Sequence, residues 1–199
     1  MSAVVTLKKG EGRTIKAGGA WIFDNEIDTV MGSFENGEIV VVHDFDGYPM
    51  GKGFINTNSK IRIRMLTRHV DQEIDRTFLQ MRVKNAWEYR KTTVDTSSCR
   101  VIFGEADFLP GLVVDKYEDV LVVECLALGM EQFKETIVSL LKEELAKSLE
   151  VKGAVRRSHI RLLAMLSKIY PGKLLLCFES GFLNYRLLKR ITEENGVSL

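Results

Sequence analysis

The stretch that most constrains this chain is Phe103 to Glu124, FGEADFLPGLVVDKYEDVLVVE. Val113–Tyr117 and Val120–Leu126 are rich in β-branched residues and separated only by Glu118 and Asp119, the spacing of a two-residue β-hairpin. Ahead of them lies an acidic loop, Gly104 to Gly111, that carries Glu105, Asp107 and the aromatic Phe108. Pro110 fixes φ and biases Leu109 towards extended geometry, while Gly104 and Gly111 can take φ values that other residues avoid. The loop therefore has a definite shape, and the chain on either side of it reads differently.

N-terminal to it, short apolar runs alternate with turn residues. Residues 3–7 read as a strand, 11–17 as a brief helix stopped by Gly18-Gly19, and Trp21-Ile22-Phe23 as a core strand. Glu38–Val42, Tyr48–Ile55 and Ile61–Leu66 follow, separated by FDG and NTNS turns, the rhythm of a compact β-barrel. In the last of these strands Arg62 and Arg64 alternate with Ile61, Ile63 and Met65, so both arginines leave one face. From Asp75 to about Lys91 the period becomes helical, with Phe78, Leu79, Val83, Ala86 and Trp87 on one side. A strand over Cys99–Phe103, the hairpin, a helix over Glu131–Lys147 and a strand over Val151–Val155 complete an α+β layer. The spacing thus predicts an α+β chain of three parts: residues 1–70, 71–155 and a tail, 156–199, with no assignable architecture.

Charge is distributed in blocks although the net charge is only +1. Residues 1–23 hold Lys8, Lys9, Arg13 and Lys16 against Glu11, and residues 24–46 hold seven acids and no Lys or Arg. Gly47–His69 then carries Lys52, Lys60, Arg62, Arg64 and Arg68 without an acid. Two basic segments that flank an acidic one can fold into a single phosphate-facing patch, with Lys8, Lys9, Arg13 and Lys16 as one rail and Arg62, Arg64 and Arg68 as another. By charge alone, solvated surface and RNA contact are equally open. Trp21 offers a stacking face, but within Trp-Ile-Phe the core is the favoured place.

Other chemistry is thin. Cys99, Cys125 and Cys177 stand apart in apolar runs and read as inert buried thiols. The three histidines have no spacing that completes a metal site. Glu105 and Asp107 read as shapers of loop amides, with a small-molecule enzyme centred on them as the weaker alternative. No apolar run approaches the roughly 20 residues of a membrane helix, and the N-terminus lacks a signal-peptide pattern. These features predict a cytoplasmic protein.

Taken together, KGEGRTIKAGGAWIFDNEI, GKGFINTNSKIRIRMLT and RVIFGEADFLPGLVVDKYEDVLVVECLALGMEQFK resemble the N-terminal part of bacterial large-subunit rRNA cytosine-C5 methyltransferases. The likeness spans roughly the first 155 residues. It departs at Gly19-Ala20, at the Glu118-Asp119 turn and after Val155, where VRRSHIRLLAML replaces the family's pattern. The resemblance implies a PUA RNA-binding domain over 1–70 and an EEHEE-type α+β domain over 71–155. In that family a class I catalytic domain, which uses S-adenosylmethionine, follows these two. It tips Lys8, Lys9, Arg13, Lys16, Trp21, Arg62, Arg64 and Arg68 towards RNA, with rRNA as the expected partner. No strand leading into a Gly-rich cofactor turn is present in these 199 residues. The expectation is therefore an RNA-recognition portion without cofactor or catalytic residues of its own, from a truncated or frame-disrupted gene. A free-standing RNA-binding or ribosome-assembly module is the alternative, and a homodimer is left open.

Overall fold

The computed structural model describes residues 2–117, 120–146 and 153–156. The Glu118-Asp119 turn, Cys177, the Asn195-Gly196 ending and the remainder of the tail lie outside the described residues. Residues 1–154 cluster as one compact unit, and within it the apolar side chains form two cores.

The first core is enclosed by a curled six-stranded sheet. Its strands are β1 (Val4–Leu7), β2 (Trp21–Phe23), β3 (Ile27–Met31), β4 (Ile39–His43), β5 (Pro49–Ile55) and β6 (Ile61–Thr67), in the order β2-β6-β5-β4-β1-β3. β1 runs parallel to β4, and every other pairing with a determined register is antiparallel. Alternation sends Val5 and Leu7 of β1, Val40 and Val42 of β4, and Ile63 and Met65 of β6 inward. One turn of helix, α1 (Arg13–Lys16), is pinned to this core by Ile15. β3 escaped the sequence reading because its residues are mostly exposed and its apolar signal is weak.

The second core lies between a four-stranded sheet and two helices. α2 (Arg76–Thr93) begins where Asp75 accepts from the Phe78 amide, 2.8 Å, at the helix start that the sequence implied. β7 (Ser98–Phe103), β8 (Leu112–Tyr117) and β9 (Val120–Cys125) form a meander, and Tyr117 opposite Val120 matches the expected two-residue hairpin. The helix expected over 131–147 is α4 (Lys134–Ala146), preceded by a single turn, α3 (Leu128–Glu131), and β10 (Gly153–Arg156) borders β9. α2 contributes Phe78, Leu79, Val83, Ala86 and Trp87, and α4 contributes Ile137, Leu140, Leu141 and Leu145. The fold is α+β, as the sequence implied.

Two residues of the first sheet, Phe54 and Leu66, belong to the second core. Leu66 explains how the halves meet. It shares a face of β6 with Arg62 and Arg64, while Ile63 and Met65 point into the first core. The arginine face is thus the face that abuts the second half.

Candidate nucleic-acid interface

α1 is a single turn whose buried Ile15 leaves Arg13 and Lys16 pointing outward. It stops because the Gly18 and Gly19 amides donate back to the carbonyls of Ile15 and Thr14, 3.1 and 2.7 Å. Gly18 has φ 115°, and a Cβ on Gly19 would stand 2.8 Å from the Thr14 carbonyl oxygen, so this tight stop requires both glycines. Arg68 follows β6, and its guanidinium lies beside Gly18. Arg13, Lys16 and Arg68 therefore surround the connection from α1 to β2.

The other N-terminal lysines have local partners. Lys8 Nζ donates to the Asn25 carbonyl, 2.7 Å, and Lys9 Nζ sits 5.7 Å from the centroid of the exposed Phe45 ring. Lys16 pairs with Asp44 at 2.8 Å, and Asp44 also accepts from the amides of Asp46 and Tyr48. The hydrogen bond to Asp44 pushes the Lys16 pKa up, and the reciprocal bond holds the Asp44 carboxyl below its ordinary value. Among the described residues, the side chains of Arg13 and Arg68 form neither an ion pair nor a hydrogen bond.

Trp21 is not in the core. Ile22 is fully buried, whereas Trp21 and Phe23 are 41% and 42% exposed, because the period of two turns them to the opposite face. Trp21 lies directly across from Arg64 on β6. The guanidinium carbon is 5.2 Å from the indole centroid, a cation–π cross-strand pair. Glu105 caps both: its Oε1 accepts from Trp21 Nε1 at 2.7 Å and from Arg64 Nη1 at 2.6 Å. Arg62 lines a shallow concavity of about 460 Å³ with Asp24, Ile27, Val30, Phe34, Ile55 and Thr57. Its Nη1 reaches the Asn56 carbonyl only at 3.4 Å. The two arginines leave the same face, as expected, but Arg64 is already engaged.

The acidic loop is neutralised in a similar way. Gly104–Asp107 form a 3-10 turn, and Phe108 follows in the left-handed region at φ 58°. Asp107 accepts from Arg90 Nη1 and Nη2, 3.1 and 2.6 Å, and from the Phe103 amide, 2.6 Å. Arg90 also donates through Nε to the Arg100 carbonyl, 2.9 Å. Asp107 accepts from a loop amide, as the sequence implied for both acids, whereas Glu105 binds the side chains of Trp21 and Arg64 across the two halves instead. Arg90 and Arg82 carry no signal of this role in the sequence beyond the helical period, which places both at the edge of the buried face of α2.

Burial raises the Cys99 thiol pKa, which favours the unreactive form. Among the described residues no group of three or more metal-ligating side chains is present. No described helix is long and apolar enough to cross a membrane.

The class follows from the match of residues 5–68, which hold the curled sheet and the one-turn helix, to the PUA-like domain family: they form a PUA-like domain. The chain is also homologous to proteins named ribosomal RNA large subunit methyltransferase I. It is 35% identical over 141 residues to the one from Alteromonas mediterranea, covering 69% of this chain and 36% of the relative. To the one from Shewanella amazonensis it is 31% identical over 147 residues, covering 72% of this chain and 37% of the relative. The chain thus spans little more than a third of the length of these relatives. A solved structure from Streptococcus mutans, named as a SAM-dependent methyltransferase, shares the fold. Its TM-score is 0.66 at 12% identity, covering 78% of this chain and 40% of that one. A second methyltransferase structure, complexed with SAH, is similar with a TM-score of 0.66 at 13% identity and the same coverage.

Proposed function

We propose that this chain is the RNA-recognition portion of a large-subunit rRNA methyltransferase of the cytosine-C5 type, acting in the cytoplasm. The observation that carries the reading is the cation set around α1 and its connection to β2, carried by a PUA-like domain in a chain homologous to rRNA methyltransferases. Arg13 and Arg68 meet phosphates most directly, since no described protein group competes for them. Lys8, Lys9 and Lys16 extend the rail, and the solvent-facing Lys16 Nζ has Asp44 as an alternative partner. Arg62 approaches RNA from the rim of its concavity. Trp21 and Arg64 orient the surface and offer one indole face. S-adenosylmethionine is assigned to a catalytic domain of the family, and burial of the Cys99 thiol favours its unreactive form.

The test is a salt titration of affinity for large-subunit rRNA fragments, using the 199-residue chain. The reading predicts that log affinity falls linearly with log salt, and that Arg13→Ala with Arg68→Ala flattens the slope by about 0.7–0.9 for each phosphate no longer neutralised. A slope unchanged in the double variant would reject it. S-adenosylmethionine binding by the 199-residue chain would contradict the assignment of the cofactor to another domain.

A further inference from the structure

The α2 side of the acidic loop carries a second feature, separate from the cations around α1. Phe108 is a non-glycine residue at φ 58°, a conformation that crowds its Cβ, and its ring is 61% exposed. Burial does not compensate this strain, because the ring points to solvent. The residues after it do the anchoring: Leu109, Pro110 and Gly111 are buried, and the Leu109 amide donates to the Gly104 carbonyl at 3.0 Å. Strained positions held by their surroundings cluster where a side chain has a task.

Over that ring sits Arg82, its guanidinium carbon 4.7 Å from the Phe108 centroid and 5.0 Å from the Phe78 centroid. The Nε is buried without a hydrogen-bond partner. Burial lowers the pKa of the group, and no acid acts to raise it. Among the described residues no carboxylate pairs with Arg82, although Glu105 and Asp107 are in the adjoining turn; they are taken by Arg64 and Arg90. Asp115, the next acid along, is taken by Arg100, which also lies over the exposed Phe103 ring at 5.0 Å. The local acids are therefore matched by other cations, and the exposed Phe108 ring stands beside a half-buried guanidinium that has no acid partner among the described residues.

We propose that Phe108 and Arg82 form a contact for one unpaired nucleotide of single-stranded RNA, with the base stacked on the Phe108 ring and a flanking phosphate at Arg82. The inference rests on the RNA-recognition reading and extends it from the PUA-like domain into the second half. Stacking on an exposed ring with an adjacent cation tolerates any base, which is how single strands are held without sequence readout. A protein partner would need a broad apolar patch, whereas Leu109, Pro110 and Gly111 are buried and the exposed Phe103 ring has the Arg100 guanidinium over it.

The experiment measures fluorescence anisotropy of labelled oligouridine and of an RNA duplex of equal length, titrated with the 199-residue chain. Phe108→Gly is the main variant, because glycine accepts the left-handed conformation and the fold should keep its melting temperature. Oligouridine affinity should fall by about five- to 100-fold, duplex affinity should change far less, and Phe108→Trp should retain binding. Arg82→Gln should flatten the salt slope for oligouridine by close to the ~0.7 expected for one single-strand contact. Wild-type oligouridine affinity in Phe108→Gly, at an unchanged melting temperature, would overturn the proposal and is also the result that a protein-docking role gives. If Arg13→Ala with Arg68→Ala weakens rRNA binding while Phe108→Gly has no effect, this inference falls and the PUA-like interface stands. If the wild type binds no RNA, both fall.

Discussion

The α1 end of the first sheet and the loop from Phe103 to Gly111 are both charged, both glycine-punctuated and both on the surface, yet their charges are used differently. In the loop, Asp107 is clamped by Arg90 and Glu105 by Arg64 and Trp21, so its acids are consumed in fixing its shape and tying it to the first sheet. Around α1 only Lys16 has an acid, while Arg13 and Arg68 have none among the described residues. A charge block in a sequence therefore does not say whether its field reaches solvent. The partner found in the fold decides that.

The comparison breaks most severely if the loop's buried pair is opened. Asp107 and Arg90 side chains are only 8% and 11% exposed. Asp107→Ala leaves a buried cation unpaired and should cost about 3–5 kcal/mol, read by urea denaturation. A smaller destabilisation is expected where the halves touch. A Cβ on Gly129 would stand 2.2 Å from the Phe54 ring, so Gly129→Ala should cost about 1–3 kcal/mol by overpacking, read in the same way.

Glu105→Gln sharpens the contrast instead. The amide oxygen can still accept from Trp21, the partly exposed ion pair contributes at most about 1 kcal/mol, and stability should change little. Arg64 loses the charge that neutralises it, so RNA affinity should rise and its salt slope steepen by up to roughly one unit. Unchanged binding in this variant would show that Arg64 does not face RNA.

The smallest effect concerns pH. Asp44 is held below its ordinary value of 3.8, so its contribution is present above that pH and is lost as pH falls through the depressed value. Lys16 is raised above 10.5, so its contribution is present below that pH and lost as pH rises through the raised value. Asp44→Asn should remove the acid-side slope in melting temperature below pH 3.8 that this pair supplies.

Much of the fold was legible because period and turn chemistry agree. The alternation in β6, Asp75 at the start of α2 and the 117–120 hairpin spacing each fixed an element. β3 was missed because an exposed strand carries little apolar signal, and the single turn α3 lies ahead of the apolar pattern that begins at Phe133. The candidate site was half legible. Residue type marked the cations, and β6 alternation put Arg62 and Arg64 on one face. That this face continues into Leu66 and the second core, and so brings Glu105 onto Arg64, depends on a pairing 41 residues apart in sequence that no local pattern encodes. Trp21 was misplaced for a related reason: three apolar residues in a strand cannot all face one side, and Ile22 took the core.

The most direct test of the account compares two cation changes by the same salt titration against one rRNA fragment. Arg13→Ala with Arg68→Ala should flatten the log–log slope by about 1.4–1.8, while Arg64→Gln, whose cation is already held by Glu105, should flatten it by far less. Equal flattening from the two sets, or a larger change from Arg64→Gln, would contradict the claim that free cations at the α1 end carry the RNA contact.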